Sequence, residues 1–275
     1  SMNWESVKGA VHVEPDDSGM DLSFSGDRYL TISLDLIMGT EYTVTIDTNA
    51  CTMGGKPLEF NYSFSFTTEP FRLEYFGSAR SRSRGSSGSS KDFCPLEFNF
   101  NADVDPDLFM ENLTIYPPVV EVSTEGTSYG DRVLLYPLYG WMSGTNMTFT
   151  ISADFTDING NHLPGDTTLS VEIDPLQVSR VNPYDKQYFV PLAPVILIYF
   201  NNIIDESTIE GALKITPEIN PNIVTYQSSE YSMLRVYPDS SLASNMQYTI
   251  EIDTSLTDYY GMNLPEKFVS VFTTK

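Results

Sequence analysis

Apolar and polar residues alternate with a period of two along many short stretches of the chain. The clearest stretch is Met246-Gln-Tyr-Thr-Ile-Glu-Ile-Asp253, in which Met, Tyr and both Ile fall on one face. This period is typical of a β-strand with one buried face. A helical period is visible only over residues 205–212, which is enough for one turn of helix. Because 17 Pro and 17 Gly separate the short stretches, the pattern predicts an all-β fold.

The strand at 246–253 belongs to a unit that occurs three times. Similar strands start at Tyr42, Met147 and Tyr248, and each is followed by a Gly-containing turn, a Leu and a closing strand. Corresponding glycines, such as Gly160 and Gly261, lie about a hundred residues apart, which is the size of one immunoglobulin-like sandwich. We therefore expect each unit to bury its own core.

The repeat divides the chain into three predicted domains, residues 1–69, 70–174 and 175–275. The junctions are Glu69-Pro70 and Asp174-Pro175. Proline fixes φ and biases the preceding residue towards extended geometry, so both junctions are short and stiff. The sequence thus predicts a semi-rigid rod.

The first domain lacks its beginning. Residues 5–15 match residues 206–217, but in the last copy about thirty further residues precede that point, including the apolar strand 195–200. A sandwich without its first strands exposes a hydrophobic slot and an unpaired edge. Because Ser1-Met2 is typical of an engineered start, we expect a truncated domain. The alternative is that another chain fills the slot by strand addition.

A Gly-, Ser- and Arg-rich segment, residues 77–91, interrupts the second domain. Such a composition buries too little apolar surface to offset the conformational entropy lost on ordering, so we predict a disordered loop. Its Arg-Ser alternation suits anion binding or phosphorylation, and also suits a plain solvated insertion.

The charge balance narrows the partners. The chain has 15 Lys+Arg and 37 Asp+Glu, a net charge of −22, which repels nucleic acid and anionic membranes. One interpretation of this charge is a soluble surface that does not adhere to other molecules. The other is a preference for divalent cations or basic partners. We also expect no membrane insertion, because no apolar stretch reaches the 18 to 20 or so residues of a spanning helix.

Residues that carry chemistry are few. Cys51 and Cys94 fall in different copies and predict no disulfide framework, and His12 and His162 also fall in different copies. Zinc sites and nucleophile–base pairs need more His or Cys than this, so we predict a protein that is not an enzyme.

One turn carries oxygen ligands at a spacing that suits calcium: Asp154, Asp157, Asn159 and Asn161. The same residues also suit an ordinary turn, because Asn and Gly tolerate left-handed geometry and Asx side chains bind their own backbone. The sister turns that begin at Cys51 and Asp258 lack matching ligands. Calcium is therefore the one cofactor left open.

Most aromatic residues lie at alternate positions along the strands, on the inward face, and are expected to be part of the core. Tyr259 and Tyr260 are the exception, since they lie at the tip of a turn and can contact a glycan or a neighbouring domain. Tyr42 and Tyr248 are expected to hydrogen-bond backbone groups, as in a tyrosine corner, and Trp141 is expected to fill the core.

The order of the motifs resembles the bacterial Ig-like domains that occur in tandem in S-layer and other cell-surface proteins. The motifs are an apolar strand ending in Phe-Asn (Phe100-Asn101, Phe200-Asn201), a Gly-Thr corner, Tyr-Thr-x-x-Ile, Asp-x-x-Gly-x-x-Leu and a closing Phe-Thr-Thr. The third copy has Ser244-Asn245 in place of Gly-Thr, and the second lacks the closing Phe-Thr-Thr. The resemblance implies tandem immunoglobulin-like β-sandwiches, one partial and two complete.

The same resemblance implies an extracellular or cell-surface location, with signal and anchor outside this sequence, and no catalytic residues. We therefore expect a spacer, scaffold or presenting module whose partners are other domains of the parent protein. Two alternatives stay open. One is an adhesin whose loops bind carbohydrate or a host surface protein, and the other is a set of accessory domains of a secreted enzyme.

Overall fold

The computed structural model describes residues 1–16, 19–26, 29–79, 95–227 and 232–275. These residues form two compact units, one of Ser1–Arg72 with Thr156–Pro164 and the other of Leu73–Phe155 with Gly165–Lys275. Strands dominate both units, and the described part of the chain contains no helix with the length and hydropathy needed to cross a membrane. Most of the predicted loop 77–91, and Cys94, lie outside the described residues.

The N-terminal unit holds an incomplete sandwich. Its elements are helix α1 (Trp4–Ala10) and strands β1 (Val11–Glu14), β2 (Asp21–Ser25), β3 (Tyr29–Ser33), β4 (Glu41–Ile46) and β5 (Tyr62–Thr67). Strands β1, β4 and β5 form one antiparallel sheet, in that order, and among the described residues β2 pairs with β3 alone. The core lies between these sheets and α1, around Val7, Ala10 and Val44.

The second unit begins with the middle sandwich. Its elements are β6 (Leu73–Ser78), β7 (Leu96–Phe100), α2 (Pro106–Glu111), β8 (Leu113–Tyr116), β9 (Val122–Gly126), β10 (Arg132–Pro137), β11 (Asn146–Ile151) and β12 (Thr167–Glu172). The sheet orders are β6-β7-β10-β9 and β12-β11-β8. Aromatic rings fill the space between the sheets: Phe98 lies 4.9 Å from Phe109, and Trp141 meets Phe149 edge-on at 5.6 Å. Trp141 has no exposed surface, which confirms its predicted place in the core.

The C-terminal sandwich is the most complete. Its elements are β13 (Val178–Asn182), β14 (Gln187–Val190), β15 (Ile196–Phe200), a 3₁₀ turn (Glu206–Thr208), α3 (Ile209–Ala212), β16 (Leu213–Thr216), β17 (Pro221–Gln227), β18 (Ser232–Pro238), β19 (Gln247–Ile252) and β20 (Phe268–Thr274). One sheet has the order β13-β15-β18-β17 and the other β14-β20-β19-β16. All pairings are antiparallel except that of β14 with β20, which is parallel.

The incomplete and the complete sandwich share the same local geometry. The Tyr42 hydroxyl accepts the Ile37 N–H at 2.9 Å, and the Tyr248 hydroxyl accepts the Ala243 N–H at 3.0 Å. These bonds confirm the predicted tyrosine corners. They also show that β4 and β19 are equivalent strands of the two sandwiches.

Candidate functional site in the joint between two sandwiches

The linker between the middle and C-terminal sandwiches is bound on both sides. On the middle side, the Gly144 N–H donates to the Asp174 carbonyl at 3.1 Å. On the C-terminal side, Asn201 donates through Nδ2 to the Pro175 carbonyl at 2.9 Å and accepts the Gln177 N–H at 2.8 Å. The linker therefore has little freedom to bend, because its backbone groups hold partners from both sandwiches.

Asn202 ties the corner of the middle sandwich to the strand end of the C-terminal sandwich. Its side chain is fully buried, and Nδ2 donates to the Trp141 carbonyl at 2.6 Å and to the Ser143 hydroxyl at 2.7 Å. Its Oδ1 accepts the Ile203 N–H at 2.9 Å. A small displacement that broke these bonds while the amide stayed buried would cost about 1–3 kcal/mol, so the bonds oppose small movements of the two sandwiches.

Gly140 makes room for Asn202. Its φ is +74°, in the left-handed region, and a Cβ at this position would overlap the Asn202 carboxamide. Glycine therefore serves two needs here, since it tolerates the backbone conformation and permits the close approach.

Asp258 joins the same contact from a turn of the C-terminal sandwich. Its carboxylate is fully buried, and Oδ1 accepts the N–H groups of Tyr260 and Met262 at 2.9 and 2.8 Å. Its Oδ2 accepts the Ser143 N–H of the middle sandwich at 2.9 Å. One side chain thus shapes its own turn and binds the neighbouring domain.

The two candidate binding residues, Tyr259 and Tyr260, lie at this joint. The ring of Tyr259 stacks on Tyr139 of the middle sandwich, with centroids 4.1 Å apart and planes 7° apart, although 41% of the residue stays exposed. Tyr260 meets Tyr259 edge-on at 5.4 Å, and burial raises the pKa of the Tyr260 phenol. Of the two contacts expected for this pair, the structure contains the one with a neighbouring domain, and glycan binding stays a prediction.

The calcium candidates form a self-contained turn. Asp157 is buried, and its Oδ1 accepts the N–H groups of Asn159 and Asn161 at 2.9 and 2.8 Å. Its Oδ2 accepts Nδ2 of Asn161 at 2.8 Å, while Asp154 is exposed. Asp258 uses its Oδ1 in the same way, so the pattern needs no cation. Within the described ranges, no group of three or more His, Cys, Asp or Glu side chains is arranged to hold a metal, and calcium binding stays a prediction.

The residues of the joint that sequence reasoning missed are Tyr139, Gly140, Ser143 and Asn202. The sequence offers one signal for this contact, a glycine directly before Trp141, because glycine is the residue that permits a close approach. Nothing in the local pattern connects Ser143 with Asn202, since contacts between domains leave no periodicity in the chain.

Comparison with solved structures finds tandem immunoglobulin domains at low similarity. A pair of tandem Ig domains from titin is 12% identical, with a TM-score of 0.24, over 66% of this chain and 86% of that one. The N-terminal eight Ig domains of the Down syndrome cell adhesion molecule are 11% identical, with a TM-score of 0.25, over 97% of this chain and 32% of that one.

Comparison of sequences is informative for one domain. No curated protein sequence matches the chain. Residues 172–274, which include every strand of the C-terminal sandwich, match the family model of a bacterial Ig-like domain. With the sheet orders above, this match establishes the fold class as predicted: the chain is an all-β tandem of immunoglobulin-like sandwiches, one partial and two complete.

Proposed function

We propose that the chain is a non-catalytic spacer that holds other parts of a bacterial cell-surface or secreted protein at a set distance. The observation that carries this proposal is the joint, in which Asn202 and Asp258 are buried with their hydrogen bonds made across two domains. Domains in one chain move relative to each other by default. Here, bending would strip a buried amide and a buried carboxylate of partners, so the joint resists it.

The family match supports the location. The C-terminal sandwich matches a bacterial Ig-like domain. Strand β20 ends in the Phe-Thr-Thr of the S-layer and cell-surface domains that the motif order resembles, and domains of that type work outside the cell. In this role the partners are the flanking domains of the parent protein. The strongly acidic composition keeps such a spacer from adhering to anionic membranes and nucleic acid.

The stiffness of the joint can be measured by the distance between spin labels on the two sandwiches. Labels at Ser123→Cys on β9 and Asn222→Cys on β17, in a chain with Cys51 and Cys94 changed to Ser, report only this joint. We expect a narrow distance distribution, which the double variant Asn202→Ala/Asp258→Ala broadens.

A matched control keeps the residue types and moves them away from the joint. Asn220 and Asp239 are exposed residues of the C-terminal sandwich, and Asn220→Ala/Asp239→Ala should leave the distribution as narrow as in the parent. A broad distribution in the parent, or no broadening when Asn202 and Asp258 are changed, would contradict the spacer proposal.

A different feature favours the second candidate, an adhesin. Tyr184, Tyr188 and Phe189 are 63%, 67% and 82% exposed around β14. Lys186 and Phe189 have φ of +63° and +58°, an uncommon conformation for residues other than glycine. Exposed aromatic rings on a strained segment suit contact with a carbohydrate or a host protein.

The adhesin candidate has its own experiment. If the chain binds on a glycan array or a host-protein array, Tyr188→Ser/Phe189→Ser should abolish the signal. Tyr259→Ala should retain it, because Tyr259 is committed to Tyr139. Loss of signal in Tyr259→Ala alone would instead assign binding to the turn of the joint.

A further inference from the structure

The aromatic residues of β5 face the interior side of the N-terminal unit but remain exposed. The directly opposed pairs of β4 and β5 are Tyr42 with Phe66, Val44 with Phe64, and Ile46 with Tyr62. Opposed residues of an antiparallel pair project from the same face of the sheet. Tyr42 and Val44 are each 2% exposed, so this is the core face, yet Phe64 is 46% exposed and Tyr62 is 59% exposed.

The C-terminal sandwich shows what covers this face when the sandwich is complete. There, Phe272 and Ser270 of β20 oppose Tyr248 and Ile250 of β19. Both residues of β20 are only 1% exposed. Strand β14 lies parallel to β20 along its edge, and Ile196 and Ile198 of β15 are fully buried in the same core. A single segment, Gln187–Phe200, therefore supplies both the edge strand and the covering side chains.

The uncovered face of the N-terminal unit forms an apolar groove of about 530 Å³. The groove lining includes Trp4, Leu30, Ile46, Leu58 and Tyr62, and Glu59 is the one charged residue among its described lining residues.

Equivalent backbone hydrogen bonds in the N-terminal and C-terminal sandwiches show where the groove lies. The Leu58 N–H donates to the Ala50 carbonyl at 2.9 Å, and the Leu264 N–H donates to the Leu256 carbonyl at 2.8 Å. Leu256 and Leu264 pack in one core with Ile198 of β15. The groove thus occupies the place that β15 takes in the complete sandwich.

We propose that this groove binds an extended segment with large aliphatic side chains at alternate positions. The segment adds parallel to the free edge of β5 and then crosses to add antiparallel to β3. Among the described residues both edges lack a further strand, and an unpaired edge is a template for strand addition. The apolar lining selects aliphatic side chains, and the backbone of the edge supplies hydrogen bonds that do not depend on sequence.

The probe for this proposal comes from the chain itself. A synthetic peptide of residues 187–200, with lysines added at its ends for solubility, carries both parts of the expected ligand. The protein has two tryptophans, and Trp141 is fully buried, so quenching by iodide reports Trp4 in the groove. Binding should shift the emission to shorter wavelength and protect Trp4 from iodide, with saturation.

Two comparisons distinguish strand addition in the groove from non-specific adhesion of an apolar peptide. A peptide with Ser in place of Ile196 and Ile198 should bind at least about tenfold more weakly, since two buried aliphatic side chains are lost. Tyr62→Asp should weaken binding similarly, because Tyr62 lines the groove. Ser65→Asp adds the same charge to the opposite, exposed face of β5 and should leave binding unchanged. Circular dichroism of both variants checks that the unit stays folded.

Four results would overturn the proposal: no saturable change at Trp4, equal binding of the Ser peptide, equal loss in Ser65→Asp, or a self-associated chain. In the last case, sedimentation would show a dimer in which Trp4 is already protected and which the peptide does not dissociate. The occupant would then be a second copy of this chain.

Discussion

At the scale of single residues, Gly140 and Asn202 depend on each other. Asn202 fits under the corner because no Cβ is present at Gly140, and in turn Asn202 helps to hold the corner by binding the Trp141 carbonyl and the Ser143 hydroxyl. Gly261 has a similar backbone conformation, with φ of +81°, but a Cβ there would meet open space. Substitutions at the two glycines therefore distinguish the cost of backbone strain from the cost of steric overlap with Asn202.

We expect Gly140→Ala to lower the free energy of unfolding by about 2–5 kcal/mol, from left-handed strain plus overlap with Asn202. Gly261→Ala should cost about 1–2 kcal/mol, from strain alone. Chemical denaturation of both variants measures the difference. If the two losses are equal, the close approach to Asn202 contributes nothing.

A second residue-scale prediction concerns Asp47. His12 Nε2 lies 3.0 Å from Asp47 Oδ2, and this hydrogen bond, with that from the Asn49 N–H, lowers the pKa of Asp47 below its ordinary 3.8. A lowered folded-state pKa means that the contribution to stability is present above pH 3.8 and is lost as the pH falls through the folded-state value.

His12→Ala should raise the pKa of Asp47 towards its ordinary value, because the largest cause of the shift is removed. A carboxyl titration by ¹³C NMR measures this directly in parent and variant. An Asp47 pKa that does not respond to loss of the imidazole would assign the shift to the Asn49 N–H instead.

At the scale of elements, alternation was enough to find most strands but not every edge strand. The helical turn expected at residues 205–212 is confirmed, as a 3₁₀ turn followed by α3. The strands around Tyr42, Phe98 and Ile198 have clear apolar faces, and the structure contains them within a residue or two of their expected bounds. Strands β9 and β14 were missed. Strand β14 has four residues and an irregular parallel register with β20, so its exposed Tyr188 and Phe189 carry no alternation.

Helices α1 and α2 were missed because seven and six residues are too few to show a 3.6-residue period. Their caps were the available signal. Asn3 Oδ1 accepts the N–H groups of Glu5 and Ser6, and Asp105, followed by Pro106, accepts the Asp107 N–H at 2.8 Å. An Asx residue before a short apolar stretch is typical of a helix start.

Because α2 is so short, its cap should matter. Asp105→Ala should lower the free energy of unfolding by about 0.5–2 kcal/mol, and Asp105→Ser should recover most of the loss, since Ser also accepts the first N–H groups. Thermal or chemical unfolding of the two variants provides the measurement. Equal destabilisation by Ala and Ser would show that the carboxylate acts by charge at the helix end and not as a cap.

At the scale of the whole molecule, the sequence predicted stiff proline junctions and the repeat, but not how two sandwiches contact each other. Ser143 and Asp258 are 115 positions apart, and each looks like an ordinary loop residue in its own domain. Only the repeat offers a hint: Asp157 and Asp258 begin equivalent turns and use Oδ1 in the same way, which leaves Oδ2 to take a different partner in each copy.

The net charge of −22 and the geometry of Asp157 together predict how the protein responds to divalent cations. Any divalent cation screens the acidic surface, so calcium and magnesium should raise the thermal midpoint slightly and equally at matched ionic strength. A calcium site would need six to eight oxygen ligands, whereas both Asp157 oxygens already accept N–H groups from Asn159 and Asn161. Removal of calcium with EGTA in a magnesium buffer should therefore leave the midpoint unchanged. A midpoint that rises with calcium but not with magnesium, and no longer does so in Asp154→Ala, would instead establish a calcium site in this turn.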